Sequence, residues 1–171
     1  MKKLLSLLLA LICLPVLAGC TAQSDAPQTA PPSAAIANPW SQWSSLEEAE
    51  TAVGFPFGLP AVIAGSYTAA QFRTMNNELM EVVYHDGDSE VCIRKKPGEG
   101  QDISGDYNQY DTCEEAARSG GTITTYHNSG TGAVKQIIHC HGYSWSLVAP
   151  TGYWGDSGED FLNAVLTAAT E

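Results

Sequence analysis

The segment ELMEVVYHDGDSEVCIRK, residues 78–95, decides the fold because it places two alternating apolar runs on either side of a two-residue turn signal. Aspartate followed by glycine, here Asp86-Gly87, is typical of a tight β-hairpin. A half-buried antiparallel sheet is expected, because the apolar side chains of the two strands then share one face. A turn at this dipeptide predicts two pairs on that face, Val82 with Val91 and Met80 with Ile93.

A second hairpin is predicted around His141-Gly142. Successive strand residues point to opposite faces, so His139 and Ser144 are expected on the face away from the core. The core side is predicted to hold two cross-strand pairs and one further residue: Ile138 with Trp145, Cys140 with Tyr143, and Leu147.

Helical patterns lie before and after these strands. Ser44 or Ser45 can cap a first helix, with Glu47 or Glu48 as the reciprocal capping partner and Gly54 at its end. The apolar stripe of this helix is expected to comprise Trp40, Trp43, Leu46 and Val53.

A second helix is predicted from about Gly158 to Ala169, capped by Ser157. Between the hairpins, a polar stretch over residues 98–111 precedes a predicted strand over residues 122–127. Together these patterns predict an α+β fold, a curved antiparallel sheet of about five to seven strands with an N-terminal and a C-terminal helix that cover one face.

The N-terminal residues have the pattern of a lipoprotein signal peptide. Two lysines precede an apolar run that is too short to span a bilayer, and Leu17-Ala18-Gly19-Cys20 resembles the lipobox of bacterial lipoproteins. Residues 1–19 are therefore predicted to be removed and Cys20 to be lipidated, with fatty acyl chains such as palmitate. Residues 20–37, rich in Ala, Pro, Thr and Ser, are predicted to form a disordered tether to a single domain over residues 38–171.

The charge of the chain limits its partners. Its formal net charge is −11, and residues 1–19 contain two of its eight basic residues but none of its 19 acidic ones. Such an acidic protein is repelled by phosphate backbones, so nucleic acid is not expected as a partner. Attachment to the membrane is expected through the lipid on Cys20, with the domain on the extracytoplasmic face.

Three cysteines remain in the domain after processing. An odd number favours one disulfide and one free thiol, although all three could be reduced in an anaerobic cell. All pairings of Cys92, Cys113 and Cys140 are open; we favour Cys113 with Cys140, because the hairpin register turns Cys92 outward beside Glu81. A free thiol is expected to be a small packed apolar group rather than a nucleophile or sensor.

The sequence His139-Cys140-His141 suggests a metal site, to which His127 could contribute from a neighbouring strand. Adjacent strand residues point to opposite faces, however, so His139 and Cys140 cannot converge on one ion without a bulge. We therefore predict neither a metal site nor a cofactor. No phosphate-binding loop, dinucleotide fingerprint or nucleophile-base pair is evident in the sequence.

Several short motifs, distributed from about residue 43 onward, resemble the family called domain of unknown function 4367. The resemblance implies an extracytoplasmic domain of the kind found in Gram-positive lipoproteins and anti-sigma factors, and it implies no enzyme activity or catalytic residues. The three domain cysteines, His139 and His141 are not part of the family pattern. The resemblance rests on Leu46-Glu47-Glu48-Ala49-Glu50, Gly54-Phe55, Pro60, Tyr84, Asp86-Gly87, Asp102-Ile103-Ser104-Gly105-Asp106-Tyr107-Asn108 and Gly142-Tyr143-Ser144-Trp145-Ser146.

These observations predict a non-enzymatic cell-surface lipoprotein, a binding or sensing module for a peptide, an envelope component or a partner protein. The contact surface is expected on the concave face of the sheet or at Tyr153-Trp154, aromatic residues in a glycine-rich loop. The alternative is a metal- or thiol-dependent protein centred on Cys140 and the nearby histidines.

Overall fold

The computed structural model describes residues 38–118, 120–149 and 156–168. The predicted signal peptide, Cys20 and the predicted tether over residues 20–37 lie outside these residues, and so do Tyr153 and Trp154. No helix in the described part of the chain combines the length and the apolar character needed to cross a membrane.

The α+β class is confirmed, since the described residues form one antiparallel sheet with two helices. The sheet has nine strands among these residues, so the prediction of five to seven was too low. Its order is β1-β3-β4-β5-β9-β8-β7-β6, with β2 also paired to β3. The elements are β1 Trp40–Trp43, α1 Leu46–Val53, β2 Val62–Ile63, β3 Tyr67–Met75, β4 Leu79–Asp86, β5 Ser89–Pro97, β6 Thr112–Arg118, β7 Gly121–His127, β8 Val134–Cys140, β9 Tyr143–Ala149 and α2 Asp156–Ala168.

The first hairpin forms where it was predicted, but its register differs. Asp86 pairs with Ser89, so the two-residue loop is Gly87-Asp88 rather than Asp86-Gly87. Gly87 has φ +56° and is first in the loop, the position that requires glycine in a type II′ turn. Val82 therefore pairs with Ile93 instead of Val91. The partner of each residue moves by two positions, and such an even shift keeps the predicted core side chains on one face. Met80, Val82, Val91 and Ile93 are all fully buried.

The second hairpin is confirmed in its register. Ile138 pairs with Trp145, and Cys140 pairs with Tyr143. His141 and Gly142 both have positive φ, +51° and +80°, as a type I′ turn requires.

The first helix begins and ends at predicted residues. The Ser45 side chain accepts a hydrogen bond from the Glu48 backbone N–H, and Gly54 ends the helix in the left-handed conformation. The prediction that Trp40 and Trp43 belong to its apolar stripe was wrong, because both lie in β1. Their spacing of three residues is that of a helical stripe, but in β1 it places the two rings on opposite faces of the sheet.

Both helices pack on the same side of the sheet, here called the helix face and marked by Val82, Ile93 and Leu147. Phe161 and Val165 of α2 are fully buried there. The opposite side, the loop face, is partly covered by the polar stretch predicted from the sequence, residues 98–111. Arg94 on the loop face donates hydrogen bonds to the carbonyls of Ile103 and Ser104, and these contacts hold the stretch against the sheet.

Candidate functional site

The predicted disulfide between Cys113 and Cys140 is wrong. All three described cysteines are free. Cys113 is exposed on β6, whereas Cys140 is fully buried on the helix face of β8. The intervening strand β7 pairs Cys113 with Tyr126 but Cys140 with Gly121, five residues away. A disulfide requires Cα atoms within about 7 Å, and this register places them much farther apart.

The geometry gives no support to a reactive thiol or a metal centre at Cys140. Burial raises the pKa of the Cys140 thiol, and the nearby Glu99 carboxylate raises it further. His139 lies on the opposite face, and His127 lies at the far end of β7. No group of three or more His, Cys, Asp or Glu residues in the described part of the chain is arranged to hold a metal ion.

One serine and one histidine lie side by side, although no nucleophile-base pair was predicted. The Nδ1 of His139 lies 3.1 Å from the Oγ of Ser144 across the second hairpin. The Ser144 hydroxyl donates to the carbonyl of Gly98 (2.8 Å), and the Gly100 N–H donates to the His139 Nδ1 (3.3 Å). Both side chains therefore anchor the polar stretch to the sheet, and Ser144 is only 1% exposed.

A buried charged cluster occupies the loop face near β1. The Glu81 carboxylate is fully buried and forms ion pairs with Arg73 and with the Nε of Arg94 (2.7 Å). Both guanidinium groups stack on the Trp40 ring, at 5.4 and 5.1 Å from its centroid. The Cys92 thiol donates to Glu81 (3.1 Å), and burial followed by the charge of Glu81 raises its pKa. The buried charges balance one another, as in a structural cluster, although the Nε of Arg73 has no hydrogen-bond partner among the described residues.

On the helix face, Lys95 is buried among aromatic rings. Its ammonium lies 4.4 Å from the ring centroid of Tyr143 and 4.6 Å from that of Trp145, and it donates to the carbonyl of Pro56 (2.6 Å). Burial lowers the pKa of Lys95 to about 8, against the opposing effect of Glu50. Lys95 thereby ties the segment before β2 to the centre of the sheet.

The most distinctive cavity lies at the other end of the helix face, between α2 and strands β6 to β8. This cavity, here called the β6 groove, has a volume of about 250 Å³. A water molecule occupies about 30 Å³ in the liquid, so the groove has room for a long side chain. Residues that line it include Glu114, Arg118, Thr125, Gln136, Glu159 and Leu162.

Gln136 gives the β6 groove an unsatisfied acceptor. The residue is only 4% exposed, and its Nε2 donates to the Thr125 hydroxyl (3.3 Å). Its buried carboxamide oxygen has no hydrogen-bond partner within the described residues. Buried polar atoms are normally paired, so this oxygen is the kind of group that a donor from a ligand or a bound water satisfies.

The strand that borders the groove forms an edge of the sheet. All seven residues of β6 are exposed, and within the described ranges β6 pairs only with β7. Glu114 and Glu115 project to opposite sides of this strand because neighbouring strand residues alternate.

A second depression, of about 380 Å³, lies along α1 beside Trp43. It is more open, and none of its lining residues carries a buried polar atom without a partner.

Sequence reasoning missed both β6 and the groove. The letters EEAAR at residues 114–118 favour a helix by intrinsic propensity, so the strand had no recognisable pattern. Gln136 could have been noticed as a polar residue at a core position of β8, in alternation with Ile138 and Cys140. The groove itself depends on how α2 crosses the sheet, which the sequence does not specify.

Comparison with known proteins identifies no relative. No family model matches the chain, and neither a curated protein nor a solved structure is similar to it at a meaningful level.

Proposed function

We propose that this protein is a non-enzymatic lipoprotein anchored to the cell membrane by Cys20, whose extracytoplasmic domain binds a peptide or a partner protein. The lipobox and the tether composition of residues 20–37 support the anchor. The net charge of −11 disfavours nucleic acid as the ligand. The resemblance to the domain of unknown function 4367 fits the same setting.

The β6 groove is the observation that carries the proposed binding role. A groove of about 250 Å³ beside an exposed strand combines apolar contact area at Leu162 with the unpaired Gln136 oxygen at its wall. A binding site usually combines a concave apolar surface with a few polar groups that fix orientation. In the sequence, the predicted contact residues Tyr153 and Trp154 stand shortly before α2, of which Gly158, Glu159 and Leu162 line the groove.

The alternative centred on Cys140 has less support. Its thiol is fully buried and its pKa is raised, whereas thiol chemistry needs an accessible thiolate.

The anchor is tested by expressing the full chain in a bacterium that processes lipoproteins and labelling it with a palmitate analogue. The chain is expected to take up label and to fractionate with membranes, and Cys20→Ala should lose both properties. Cys13→Ala, which lies in the predicted signal peptide, is the matched control and should retain them. Label that persists in Cys20→Ala would contradict the anchor.

The binding role is tested with the lipidated full chain in neutral phospholipid vesicles, probed with a random library of ten-residue peptides. Peptides that bind should bind more weakly to Gln136→Leu, which removes the unpaired oxygen. Ser146→Ala, which removes a buried hydroxyl that has no hydrogen-bond partner and does not line the groove, is the matched control and should bind these peptides as the unchanged protein does. If no library peptide distinguishes Gln136→Leu from the unchanged protein, the groove is not the binding site.

A further inference from the structure

We propose that the free edge of β6 binds an extended basic peptide by strand addition, with one lysine or arginine side chain of that peptide in the β6 groove. This inference rests on the proposed binding function and specifies its ligand. Strand addition uses main-chain hydrogen bonds for affinity and side-chain pockets for specificity.

The backbone of β6 provides the hydrogen-bonding groups. In an antiparallel strand, alternate residues direct their N–H and C=O groups away from the paired neighbour. Along residues 112–118 these groups face no other strand of the described chain. Edge strands are commonly blocked by charged side chains, especially lysine, by proline or by a bulge. The strand β6 contains neither lysine nor proline and pairs regularly with β7, so its protection against other strands rests on its charges, chiefly Glu114 and Glu115, which repel an acidic strand but attract a basic one.

The side chains around β6 favour a basic ligand. Glu114 and Glu115 place a carboxylate on each side of the strand, and Glu159 of α2 lines the same groove. Arg118, at the end of the strand, is the one lysine or arginine among the groove-lining residues. Gln136 lies on β8, two strands in from β6, so a strand added at this edge would run three strand spacings, about 14 Å, from it and would not contact its oxygen. A lysine or arginine side chain supplies the positive charge that balances the carboxylates of Glu114, Glu115 and Glu159.

A second copy of the chain fits this edge less well than a basic peptide. A two-fold pairing centred on β6 would set Glu115 of one copy opposite Glu115 of the other, and like charges directly opposite each other destabilise a strand pair. The net charge of −11 on each copy adds to the repulsion.

The test measures the affinity of the full chain, in neutral vesicles at 0.15 M salt, for a labelled peptide of ten alternating lysine and threonine residues. This peptide is expected to bind, whereas the peptide with glutamate in place of lysine should not. A version methylated on alternate backbone nitrogens keeps every charge but loses the main-chain donors, and its affinity should fall at least about tenfold.

Two double variants with the same change in charge separate the β6 edge from general electrostatics. Glu114→Lys with Glu115→Lys should weaken binding at least about tenfold, because it places like charges against the peptide. Asp88→Lys with Glu90→Lys, at the exposed β4–β5 turn, should leave binding nearly unchanged. Thermal melting of both variants checks that the fold is retained.

Equal binding of the methylated peptide, equal weakening by both double variants, or self-association through β6 that excludes the peptide would each overturn the strand-addition proposal. If the strand-addition proposal is overturned but Gln136→Leu still weakens the binding of library peptides, the proposed binding function remains supported. If Gln136→Leu also leaves the affinity for library peptides unchanged, both proposals are wrong.

Discussion

The two edges of the sheet are built differently. At one edge, β3 is covered by the short strands β1 and β2, and the Ala69 N–H between them donates to the carbonyl of Ala61. Trp40 stacks on two guanidinium groups on the loop face, and Trp43 donates to the Thr74 hydroxyl on the helix face. At the other edge, β6 is exposed along its whole length. One edge is closed by short strands and anchored on both faces, whereas the other, among the described residues, pairs on one side only.

The largest effect is expected at the closed edge from Glu81→Ala, which leaves Arg73 and Arg94 without their buried carboxylate. Breaking a buried ion pair by removing one partner costs about 3–5 kcal/mol, so we expect a loss of unfolding free energy of about that size in chemical denaturation. Glu78→Ala removes an exposed pair with Lys96 and should change stability by less than about 1 kcal/mol. Equal effects of the two substitutions would contradict the structural role given to Glu81.

A smaller difference in unfolding free energy is expected between alanine substitutions at the two edges. Trp43→Ala removes a half-buried ring and its hydrogen bond to Thr74, and should cost about 2 kcal/mol, less than the 3–5 kcal/mol typical of a fully buried tryptophan. Cys113→Ala on β6 removes an exposed side chain and should change stability by no more than about 0.5 kcal/mol. Comparable losses would show that the two edges are equally anchored.

The contribution of Lys95 to stability is expected to depend on pH. This residue lies between the closed edge and the centre of the sheet. Its folded pKa of about 8 is below the unfolded value of 10.5, so between these values the unfolded chain holds more protons at this site. The contribution of Lys95 to stability should therefore increase as the pH rises from 8 to 10.

Chemical denaturation of the protein and of Lys95→Met isolates this contribution. The Cys92 thiol, whose pKa is raised, should lower stability over the same range, but it does so in both proteins and cancels in the difference. Because Lys95 lowers the pKa of the Cys140 thiol, both proteins carry Cys140→Ala in this comparison, which removes that coupling. The protein that retains Lys95 should gain stability relative to Lys95→Met with rising pH. A difference that is constant with pH would mean that Lys95 titrates normally.

Much of the sheet centre could be predicted from the sequence, because turn chemistry and alternation agree there. In the second hairpin, the positive φ angles of His141 and Gly142 determine the turn and therefore the register. In the first hairpin, both Asp86-Gly87 and Gly87-Asp88 could form the turn, and the prediction named the first whereas the structure has the second. Capping chemistry likewise located α1 between Ser45 and Gly54. In each case a local interaction within a few residues determines the structure.

The edges could not be predicted, because their structure depends on contacts distant in sequence. The strand β6 consists largely of helix-favouring residues and is held as a strand by its pairing with β7. A segment whose local preference opposes its observed conformation is often a functional or strained site. The helix and the strands that form the β6 groove are likewise separated in the chain, so the unpaired oxygen of Gln136 could not be inferred from residue spacing.

Amide hydrogen exchange of the full chain, with and without the alternating lysine and threonine peptide, tests the difference between the edges most directly. On addition of the peptide, alternate amides within residues 112–118 should become protected, while the amides of residues 40–43 in β1 should exchange as before. Protection that appears equally at both edges, or nowhere along β6, would contradict the account of an open edge that accepts a strand.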